Sequence, residues 1–389
     1  MIVGFIRFVW EITEPPKESK KRKLEPLPIN ISEVAAVVPA HNEENSIRKT
    51  IQALIEVLPR QNIYVVSDSS TDNTIKIVRS LGVRSLDLSQ NRGKAKALVY
   101  IMSEYRLFKS YKAILINDAD TVVDSNFIIS VLQYFRDENV VAVSPHGRTR
   151  WARKKLSELF LIAYRARLWK VVQLGLRYGQ TWKAMNVSYI IPGAFSIYRT
   201  SVLEQLEIDA PGLIIEDFSM TFEIQKKKLG KIIYSPKIFA THEDPYSLDD
   251  YIKQQRRWNV GFWQTVKRHG IWPSFFWLST GLYLLELTFY TLFVLLLPLI
   301  VSLFILNGFQ PVFMPVFGEI TILDFVIGVF LIDYVVTIVV AILERKPIML
   351  LLGLGFIFLR FIDAIIFVIS VPEAFFKQSS GRWISPKRL

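Results

Sequence analysis

The chain has 389 residues, of which 51% are hydrophobic, and its 47 Lys and Arg residues outnumber 35 Asp and Glu residues to give a net charge of +12. This length predicts a folded domain plus a second region. The lack of Cys excludes disulfide bonds and thiolate metal sites. No nucleic-acid recognition motif accompanies the positive charge, so we expect anionic membrane lipids and no nucleic acid as partners.

The first thirty residues predict attachment to a membrane surface. Residues 1–12 are mostly apolar but include Arg7, are too short to span a bilayer and lack a small-residue cleavage site. Pro15 and Pro16 end this segment, and a basic run follows over residues 17–23. We therefore predict an interfacial amphipathic helix and a polybasic linker over residues 1–30.

Residues 31–245 alternate between apolar runs and amphipathic helical patterns. Asn45 or Ser46 is a suitable cap for a helix that Pro59 ends. Such alternation indicates an α/β domain built on a parallel sheet. The predicted strands are Val34–Val38, Ile63–Val66, Val83–Leu86, Ala113–Ile116 and Val140–Val143.

Polar side chains follow several of these strands at the edge where open α/β sheets bind ligands. Asp118 and Asp120 come directly after one strand, and their spacing points both carboxylates the same way. Hard oxygen donors of this kind suit Mg²⁺ or Mn²⁺ shared with a diphosphate. The alternative is a polar turn in which Asp118 caps the next helix.

Residues 151–183 mix aromatic residues with cations. This composition is typical of a helix at the level of lipid headgroups, and a solvated charged helix packed on the domain is the alternative. Residues 246–275 continue with a second predicted helical segment. The sequence alone leaves the choice between the two interpretations open.

The C-terminal part contains three apolar stretches that are each long enough to span a bilayer, within a predicted membrane region over residues 276–376. The stretches are Gly281–Leu306, Ile320–Leu343 and Ile348–Val371. The positive-inside rule places both Arg345–Lys346 and the basic tail 377–389 in the cytoplasm, which three full spans do not permit. Either the third stretch lies in or re-enters the membrane, or the tail is outside. Arg360 and Asp363 are predicted to pair on one helical face.

A series of motifs in order carries a family resemblance that covers Val34–Gln264. The first four lie at strand ends or helix starts and are Val37–Glu44, Tyr64–Thr74, Asn91–Ala95 and Asn117–Thr121. Downstream of the strand-end motifs come Pro192–Phe195, Ile215–Asp217 and Gln254–Trp258. The series resembles the membrane-integrated branch of family 2 glycosyltransferases, which includes cellulose, chitin, hyaluronan and poly-N-acetylglucosamine synthases and some glycolipid synthases. The resemblance implies a GT-A type catalytic domain over residues 31–245, α/β and Rossmann-like with a mostly parallel sheet and with an interfacial insertion over about residues 151–183. Acceptor-site and interfacial helices over residues 246–275 and a C-terminal transmembrane region would follow. It also implies a metal-dependent, inverting hexosyltransferase.

The resemblance assigns roles to individual residues. It implies donor contacts by Pro39, Ala40, Glu43, Asp68, Lys94 and Asp118. It implies a metal ion on Asp120 with help from Asp118. Asp217 would be the catalytic base, with Glu216 and Arg257 beside it, and Gly193, Trp258 and Gln254 would hold the acceptor.

Two departures from the family pattern bear on these roles. The family usually reads Asp-Asp-Gly-Ser or Asp-Asn-Ser here, whereas this chain has Ser67-Asp68-Ser69-Ser70, so a UDP-linked donor is favoured on one carboxylate only. Ile215 stands where the family has Thr. The expected partners are a nucleotide sugar and a growing β-linked polysaccharide, with a lipid acceptor or a non-enzymatic membrane protein as alternatives. We expect a multi-pass protein of the cell membrane with a cytoplasmic catalytic domain, and a homo-oligomer if several chains complete a channel.

Overall fold

The structure is a computed structural model that describes residues 3–4, 6–7, 26–152, 155–182, 185–306, 312–314 and 318–376. The predicted polybasic linker and the basic tail 377–389 lie outside the described residues, as does most of the predicted N-terminal helix.

Ten strands form in the described parts of the chain. The predicted strands all appear, as β1, β2, β3, β4 and β6, and each extends beyond its predicted bounds at one or both ends. The strands are β1 Val34–Ala40, β2 Ile63–Asp68, β3 Arg84–Leu88, β4 Ala113–Asn117, β5 Val122–Val123, β6 Val140–Thr149, β7 Phe195–Arg199, β8 Lys231–His242, β9 Val312–Met314 and β10 Gly318–Ile320.

Helices connect these strands and make up most of the C-terminal part. They are α1 Ile47–Val57, α2 Thr74–Ser80, α3 Lys94–Glu104, α4 Leu107–Ser110, α5 Phe127–Leu132, α6 Leu156–Lys170, α7 Tyr178–Gln180, α8 Thr200–Leu203, α9 Glu216–Lys226, α10 Leu248–His269, α11 Phe275–Leu306, α12 Ile322–Glu344, α13 Ile348–Gly353 and α14 Phe356–Phe376. A π-helical segment, Val171–Arg177, joins α6 to α7. Short 3₁₀ helices cover Ile31–Glu33, Arg60–Asn62 and Gln133–Arg136.

Eight of the strands form one mixed sheet with the order β3-β2-β1-β4-β7-β6-β8-β5. Strands β1, β2, β3 and β4 pair in parallel, as do β6 and β8. Strand β7 is antiparallel to both β4 and β6, and β5 is antiparallel to β8. The predicted α/β fold with a mostly parallel sheet is confirmed.

The sheet is buried on both faces. Alternate residues of β1 point to opposite sides, so Val34, Ala36 and Val38 join one apolar cluster while Ala35 and Val37 join the other. Helices on both sides cover a sheet of this kind, which explains why its strands are continuously apolar. The carboxyl ends of the parallel strands are left as the open edge.

Helix α6 differs from the headgroup-level helix that its composition suggested. Arg165 and Arg167 on α6 and Arg177 on the following π-helical segment are buried. Arg167 Nη2 lies 2.8 Å from Asp333 Oδ1 on α12, and Arg165 Nε lies 2.9 Å from Asp244 Oδ1. Arg165 and Arg167 therefore bind protein carboxylates in the interior, whereas Arg177 Nη2 donates to the Ser144 hydroxyl.

Two helices among the described residues are long and apolar enough to cross a membrane, Phe275–Leu303 and Asp324–Glu344. The third predicted span is wrong as a single membrane-crossing helix, because it divides into α13 and α14. Helix α14 also carries three charged residues, Arg360, Asp363 and Glu373. A helix with this charge content requires protein partners.

Helix α14 finds those partners mainly on α10, the helix that carries the Gln254–Trp258 motif. Asp363 accepts hydrogen bonds from the hydroxyls of Tyr164 and Tyr251. Arg360 Nη2 lies 2.5 Å from Asp333 Oδ1 on α12. The predicted Arg360–Asp363 pair is therefore wrong, because each residue pairs with a charge or hydroxyl on another helix.

The end of α12 returns to the α/β domain. Glu344 Oε1 lies 2.9 Å from Lys170 Nζ, and Glu344 Oε2 accepts a hydrogen bond from Trp151 Nε1 at 3.2 Å. Helix α11 starts a few residues after α10, which packs on the same domain. The start of α11 and the end of α12 are consequently on one side, as for a helical hairpin.

The shared carboxylate of Asp333 gives a test of this packing. Asp333→Asn removes the counter-charge of two largely buried arginines, Arg167 and Arg360, and breaking such a pair destabilises proteins by about 3–5 kcal/mol when burial is complete. We expect a clearly lower unfolding temperature in detergent. Glu286→Gln is the matched control, since Glu286 is an exposed carboxylate on α11. Equal unfolding temperatures for the two variants would contradict this account.

Candidate active site

The carboxyl ends of β1 and β2 are joined by hydrogen bonds between the loops that follow them. The side-chain oxygen of Asn42 accepts from the Thr71 N–H at 2.8 Å, and the Asn42 N–H donates to Ser70 Oγ at 3.1 Å. Asn42 and Ser69 adopt left-handed backbone conformations, with φ of 56° and 60°. Strained non-glycine residues of this kind are common at functional sites. The loops after β1 and β2, which form the predicted donor side of the crevice, are therefore joined by hydrogen bonds.

Asp68, at the end of β2, is fully buried and holds the loop before α3. Its Oδ1 accepts from the Arg92 N–H and its Oδ2 from the Gly93 N–H, both at 2.8 Å. Gly93 has a φ of 86°, which a side chain would disfavour. Asp68 thus sets where α3 begins and where its first residue, Lys94, points. The predicted contact between Asp68 and a nucleobase remains a prediction.

Lys94 joins two of the other predicted site residues. Its Nζ lies 2.9 Å from Asp118 Oδ1 and 3.0 Å from Glu216 Oε1. Burial opposes the charge of Lys94, but the two carboxylates outweigh it and raise the pKa of the amine. Lys94 therefore remains charged, and it links the start of α3 to the end of β4 and the start of α9.

Gly193 lies against the same three-residue cluster. A Cβ at this position would be 3.1 Å from Lys94 Nζ and 3.1 Å from Glu216 Oε1. The Gly193 N–H donates to Asp217 Oδ2 at 3.2 Å. Glycine therefore allows the backbone to approach the charged cluster and to orient Asp217.

Asp217 has the properties of a general base. Its Oδ1 is buried and has no hydrogen-bond partner among the described residues. Burial and the neighbouring charge of Glu216 raise the pKa of Asp217 to about 7. Burial also disfavours the charge of Glu216, but Lys94 and Arg257 lower its pKa. Two adjacent carboxyls thus separate into a permanent anion and a group that titrates near neutral pH.

Asp118 and Asp120 lie close to each other after β4, as predicted. The Asp118 N–H donates to the Ala194 carbonyl at 2.8 Å, and Asp120 Oδ1 accepts from Thr121 Oγ1 at 3.2 Å. Asp118 is bound to Lys94 and does not cap a helix. Burial and the charge of Asp120 raise the pKa of Asp118, while Lys94 opposes this.

The donor set fits a divalent cation held jointly with a ligand. The described residues contain no group of three or more His, Cys, Asp or Glu residues arranged to hold a metal ion alone. Two neighbouring carboxylates instead leave coordination positions for phosphate oxygens and water, as Mg²⁺ and Mn²⁺ prefer. A closed protein cage was not expected.

The predicted donor-site residues at and just after the end of β1 are buried. Pro39 and Ala40 are the last residues of β1 and are buried, so their predicted backbone contact with the donor remains a prediction. Glu43 is also buried, and its carboxylate accepts from Ser46 Oγ at 2.6 Å. Asp72 caps α2, because its Oδ1 accepts from the Thr74 N–H at the start of that helix.

Helix α10 presents the remaining predicted residues. Arg256 pairs with Glu373 on α14 through contacts of 2.6 and 2.8 Å. The exposed Arg257, in contrast, has no hydrogen-bond or ion-pair partner within the described part of the chain, while its charge acts on Glu216. Gln254 Oε1 is buried without a partner among the described residues. Arg257 is therefore a free cation beside the carboxylate cluster.

Two further α10 residues contact the segment just before Asp217. A Cβ at Gly261 would lie 3.0 Å from the side chain of Ile215, and Gln264 Oε1 accepts from the Ile214 N–H at 3.0 Å. Both contacts fix the chain just before Glu216 and Asp217. Packing of α10 thus determines where α9 begins.

The residues that surround Trp258 were not predicted from the sequence. Its ring is half-buried, with its centroid 5.6 Å from that of Trp169 and 4.8 Å from Arg165 Cζ. Asp244 binds Arg165, whereas the adjacent Glu243 pairs with Arg150 at 2.7 Å. The carboxylate that pairs with Arg165 lies far along the chain. The only local sign of this site in the sequence is therefore the unusual mixture of arginines and aromatic residues.

Comparison with known proteins places this geometry in context. A family model described as Glycosyltransferase like family 2 matches residues 32–261, well over half of the chain. The poly-beta-1,6-N-acetyl-D-glucosamine synthase of Staphylococcus epidermidis is 24% identical over 290 residues, covering 73% of this chain and 67% of that protein. The hyaluronan synthase of Streptococcus pyogenes is 28% identical over 255 residues, covering 59% of this chain and 57% of that protein.

A solved structure, a mannosyltransferase of Pyrobaculum calidifontis in complex with GDP-Man and Mn²⁺, aligns with a TM-score of 0.44 and 17% identity over 70% of this chain and 74% of its own. The chain spans a little over half the length of the hyaluronan synthase that it matches. The matched family region includes every predicted site residue from Pro39 to Trp258. This chain belongs to the glycosyltransferase family described as Glycosyltransferase like family 2.

Proposed function

We propose that this protein is a membrane-bound, inverting glycosyltransferase that moves a sugar from a UDP-linked donor to a growing β-linked polysaccharide. The observation that carries the proposal is the cluster of Lys94, Glu216, Asp217 and Gly193, in which one buried carboxylate oxygen is left without a partner. The polysaccharide acceptor is proposed because relatives are named as synthases of poly-beta-1,6-N-acetyl-D-glucosamine and hyaluronan.

The donor's diphosphate must leave with its negative charge stabilised. Asp118 and Asp120 would hold Mg²⁺ or Mn²⁺, which when bound supplies positive charge to the departing phosphates. Arg257 supplies further positive charge, since its guanidinium is free and planar and matches phosphate oxygens in geometry. The backbone of Pro39 and Ala40 and the side chains of Glu43 and Asp68 are proposed to form the nucleoside side of the site.

Asp217 is the proposed base. Its Oδ2 is fixed by the Gly193 N–H, so that Oδ1 is free to take the proton of the acceptor hydroxyl as the new glycosidic bond forms. A pKa of about 7 suits this task, because the ionised form is available at neutral pH and is still basic enough to accept a proton. Attack from the face opposite the diphosphate gives inversion at the anomeric carbon.

Lys94 keeps the other carboxylates ionised. Asp118 must be an anion to help bind a metal ion, and burial alone would favour its neutral form. The Lys94 ammonium, 2.9 Å away, counteracts that effect and also pairs with Glu216. We therefore propose that Lys94 acts through these carboxylates as well as on the donor phosphates.

The acceptor sugar is proposed to stack on Trp258 beside Gln254 and Gly193. An indole face binds a sugar ring through apolar contact and leaves the ring hydroxyls to polar groups. Gln254 Oε1 is buried without a hydrogen-bond partner among the described residues and would accept from one such hydroxyl.

The catalytic domain is proposed to lie on the cytoplasmic face of the cell membrane. Helices α11 and α12 expose apolar side chains, such as Leu285, Phe289 and Ile332, as lipid-facing helices do. The end of α12 is followed by Arg345 and Lys346, beside the catalytic domain, and the positive-inside rule places this basic end in the cytoplasm. Two spans satisfy that rule, which three did not.

The first test of the function is an assay of purified protein with several radiolabelled nucleotide sugars, followed by lipid extraction and sizing of the product. We expect transfer from a UDP-sugar that needs a divalent cation. Asp120→Asn should abolish transfer, because it removes a metal ligand, while Asp124→Asn, an exposed carboxylate nearby, should keep it. Undiminished turnover in EDTA would refute the metal assignment.

The second test concerns the base. Asp217→Asn should bind the nucleotide sugar with unchanged affinity in calorimetry yet lose transfer by about 10² to 10⁴-fold, the usual contribution of a positioned base. Loss of donor affinity together with rate would instead indicate a structural role.

The pH dependence of the same step has a definite sign. Because the folded pKa of Asp217 is about 7 rather than the ordinary 3.8, the base is mostly protonated in mildly acidic solution. The transfer rate should rise about tenfold per pH unit below that pKa and level off above it. A rate that stays flat from pH 5 to pH 8 would exclude Asp217 as the base.

The third test separates a polymer from a lipid acceptor. Trp258→Ala should reduce transfer far more than hydrolysis of the nucleotide sugar, since water needs no stacking platform. Tyr134→Ala, a truncation of a half-buried ring in the α/β domain whose hydroxyl bonds Ser235, is the control and should not separate the two reactions. A wild-type product consisting entirely of one-sugar glycolipid would replace the polysaccharide proposal with single transfer to a lipid.

A further inference from the structure

Arg165 on α6 is an arginine without contact to solvent. Its side chain is 0% exposed, and its Nε donates to Asp244 Oδ1 at 2.9 Å. Its two terminal nitrogens are buried and have no hydrogen-bond partner within the described part of the chain. One hydrogen bond and one counter-charge do not account for the burial of five N–H donors.

Aromatic rings provide the missing contacts. The Cζ atom of Arg165 lies 4.8 Å from the ring centroid of Trp258 and 5.0 Å from that of Trp169. The two indole rings contact each other edge to face at 5.6 Å. A guanidinium against two indoles is held by cation–π attraction, which is stronger when water is excluded. The cation and the two rings therefore constrain one another.

Asp244 fixes this group to the catalytic domain. Its Oδ1 accepts hydrogen bonds from both Arg165 Nε and Trp169 Nε1, at 2.9 and 3.0 Å. Burial disfavours the charge of Asp244, but Arg165 and His242 outweigh it and hold the pKa of the carboxyl well below its usual range. Asp244 is thus an anion at neutral pH, and it orients two of the three members of the cluster.

The cluster also connects the two proposed acceptor elements. The His242 ring contacts Trp169 with centroids 5.2 Å apart and stacks on Phe195 at 6.1 Å. Phe195 lies two residues after Gly193. A continuous set of packed rings therefore runs from the glycine that binds Asp217 to the indole of Trp258.

We propose that Arg165, held by Asp244, is a positioning residue that fixes the ring of Trp258 and through it the acceptor sugar. The inference rests on the proposed function, because it assumes that Trp258 is the acceptor platform. It predicts that Arg165 affects transfer to the acceptor and leaves binding and hydrolysis of the donor unchanged. A residue that serves only the stability of the fold would not show this selectivity.

Substitution of Arg165 by lysine distinguishes a positioning role from a role in fold stability alone. Arg165→Lys keeps the positive charge for Asp244 but removes the planar group that lies against the indoles. We expect the variant to raise the acceptor KM or lower the rate of transfer by about tenfold in total, equivalent to about 1.4 kcal/mol of lost orientation. The matched control is Arg167→Lys, a buried arginine of the same helix that pairs with Asp333 and makes no ring contact with Trp258.

A double-mutant cycle tests the route of the effect. If Arg165 acts through Trp258, Arg165→Lys should cost about tenfold in the wild type and almost nothing further in a Trp258→Phe background, because contacting residues couple and distant ones add. Arg167→Lys should have the same effect in both backgrounds. Additive losses for Arg165, or an equal loss of donor hydrolysis, would overturn the inference.

A second variant keeps the test decisive if Arg165→Lys does not fold. Trp169→Phe retains a ring but removes the hydrogen bond to Asp244, and we expect the same selective loss of transfer with a smaller magnitude. Unchanged transfer in Trp169→Phe would also overturn the inference. If the wild-type protein neither transfers nor hydrolyses any nucleotide sugar, the proposed function itself fails, which is a distinct result.

Discussion

The contact of Lys94 with Asp118 and Glu216 is the interaction on which the site depends. It joins three segments that lie far apart along the chain, and it does so where four carboxyl groups converge. Asp120 and Asp217 are the other two, so Lys94 alone does not neutralise the site. The remaining negative charge is a physical reason for the proposed binding of a divalent cation together with an anionic donor.

The same charge balance assigns different states to neighbouring acids. Glu216 and Asp217 are adjacent at the start of α9, yet only Glu216 receives the ammonium of Lys94. Asp217 receives one backbone N–H and remains close to another anion, so its proton is held more tightly. Burial and the adjacent Glu216 anion, which Lys94 keeps ionised, thus give Asp217 a pKa near neutrality.

Much of this arrangement was predictable from the sequence. The strand ends at Ala40, Asp68 and Asn117 follow from the apolar runs, and parallel pairing brings them to one edge. Strand β7 was not predicted, because its five residues are preceded by a Pro-Gly motif that is typical of a loop. The contact of Lys94 with Glu216 was also missed, since it depends on how two helix starts meet across the sheet.

Buried charges account for the other differences. Arg165 and Arg177 occur among aromatic residues, and this local composition is the same for a helix at a membrane surface and for one inside a protein. For Arg165, only the pairing with the distant carboxylate of Asp244 distinguishes a helix inside the protein from one at a membrane surface. The sequence alone does not indicate that pairing. Arg360 and Asp363 present the same problem, because spacing allows them to pair while better partners lie on α12, α6 and α10.

These buried charges have a structural consequence for the acceptor site. Helix α10 packs between the catalytic domain and α14, where Asp363 binds Tyr251 and Glu373 binds Arg256. Arg257 and Trp258 follow directly on that helix, so their positions depend on residues within the apolar C-terminal region. The proposed catalytic carboxylates, by contrast, are held by strands and by α9. The proposed donor and acceptor sides of the site are therefore supported by different parts of the molecule, and disturbing the C-terminal helices should impair acceptor positioning before it impairs the chemistry proposed at Asp217.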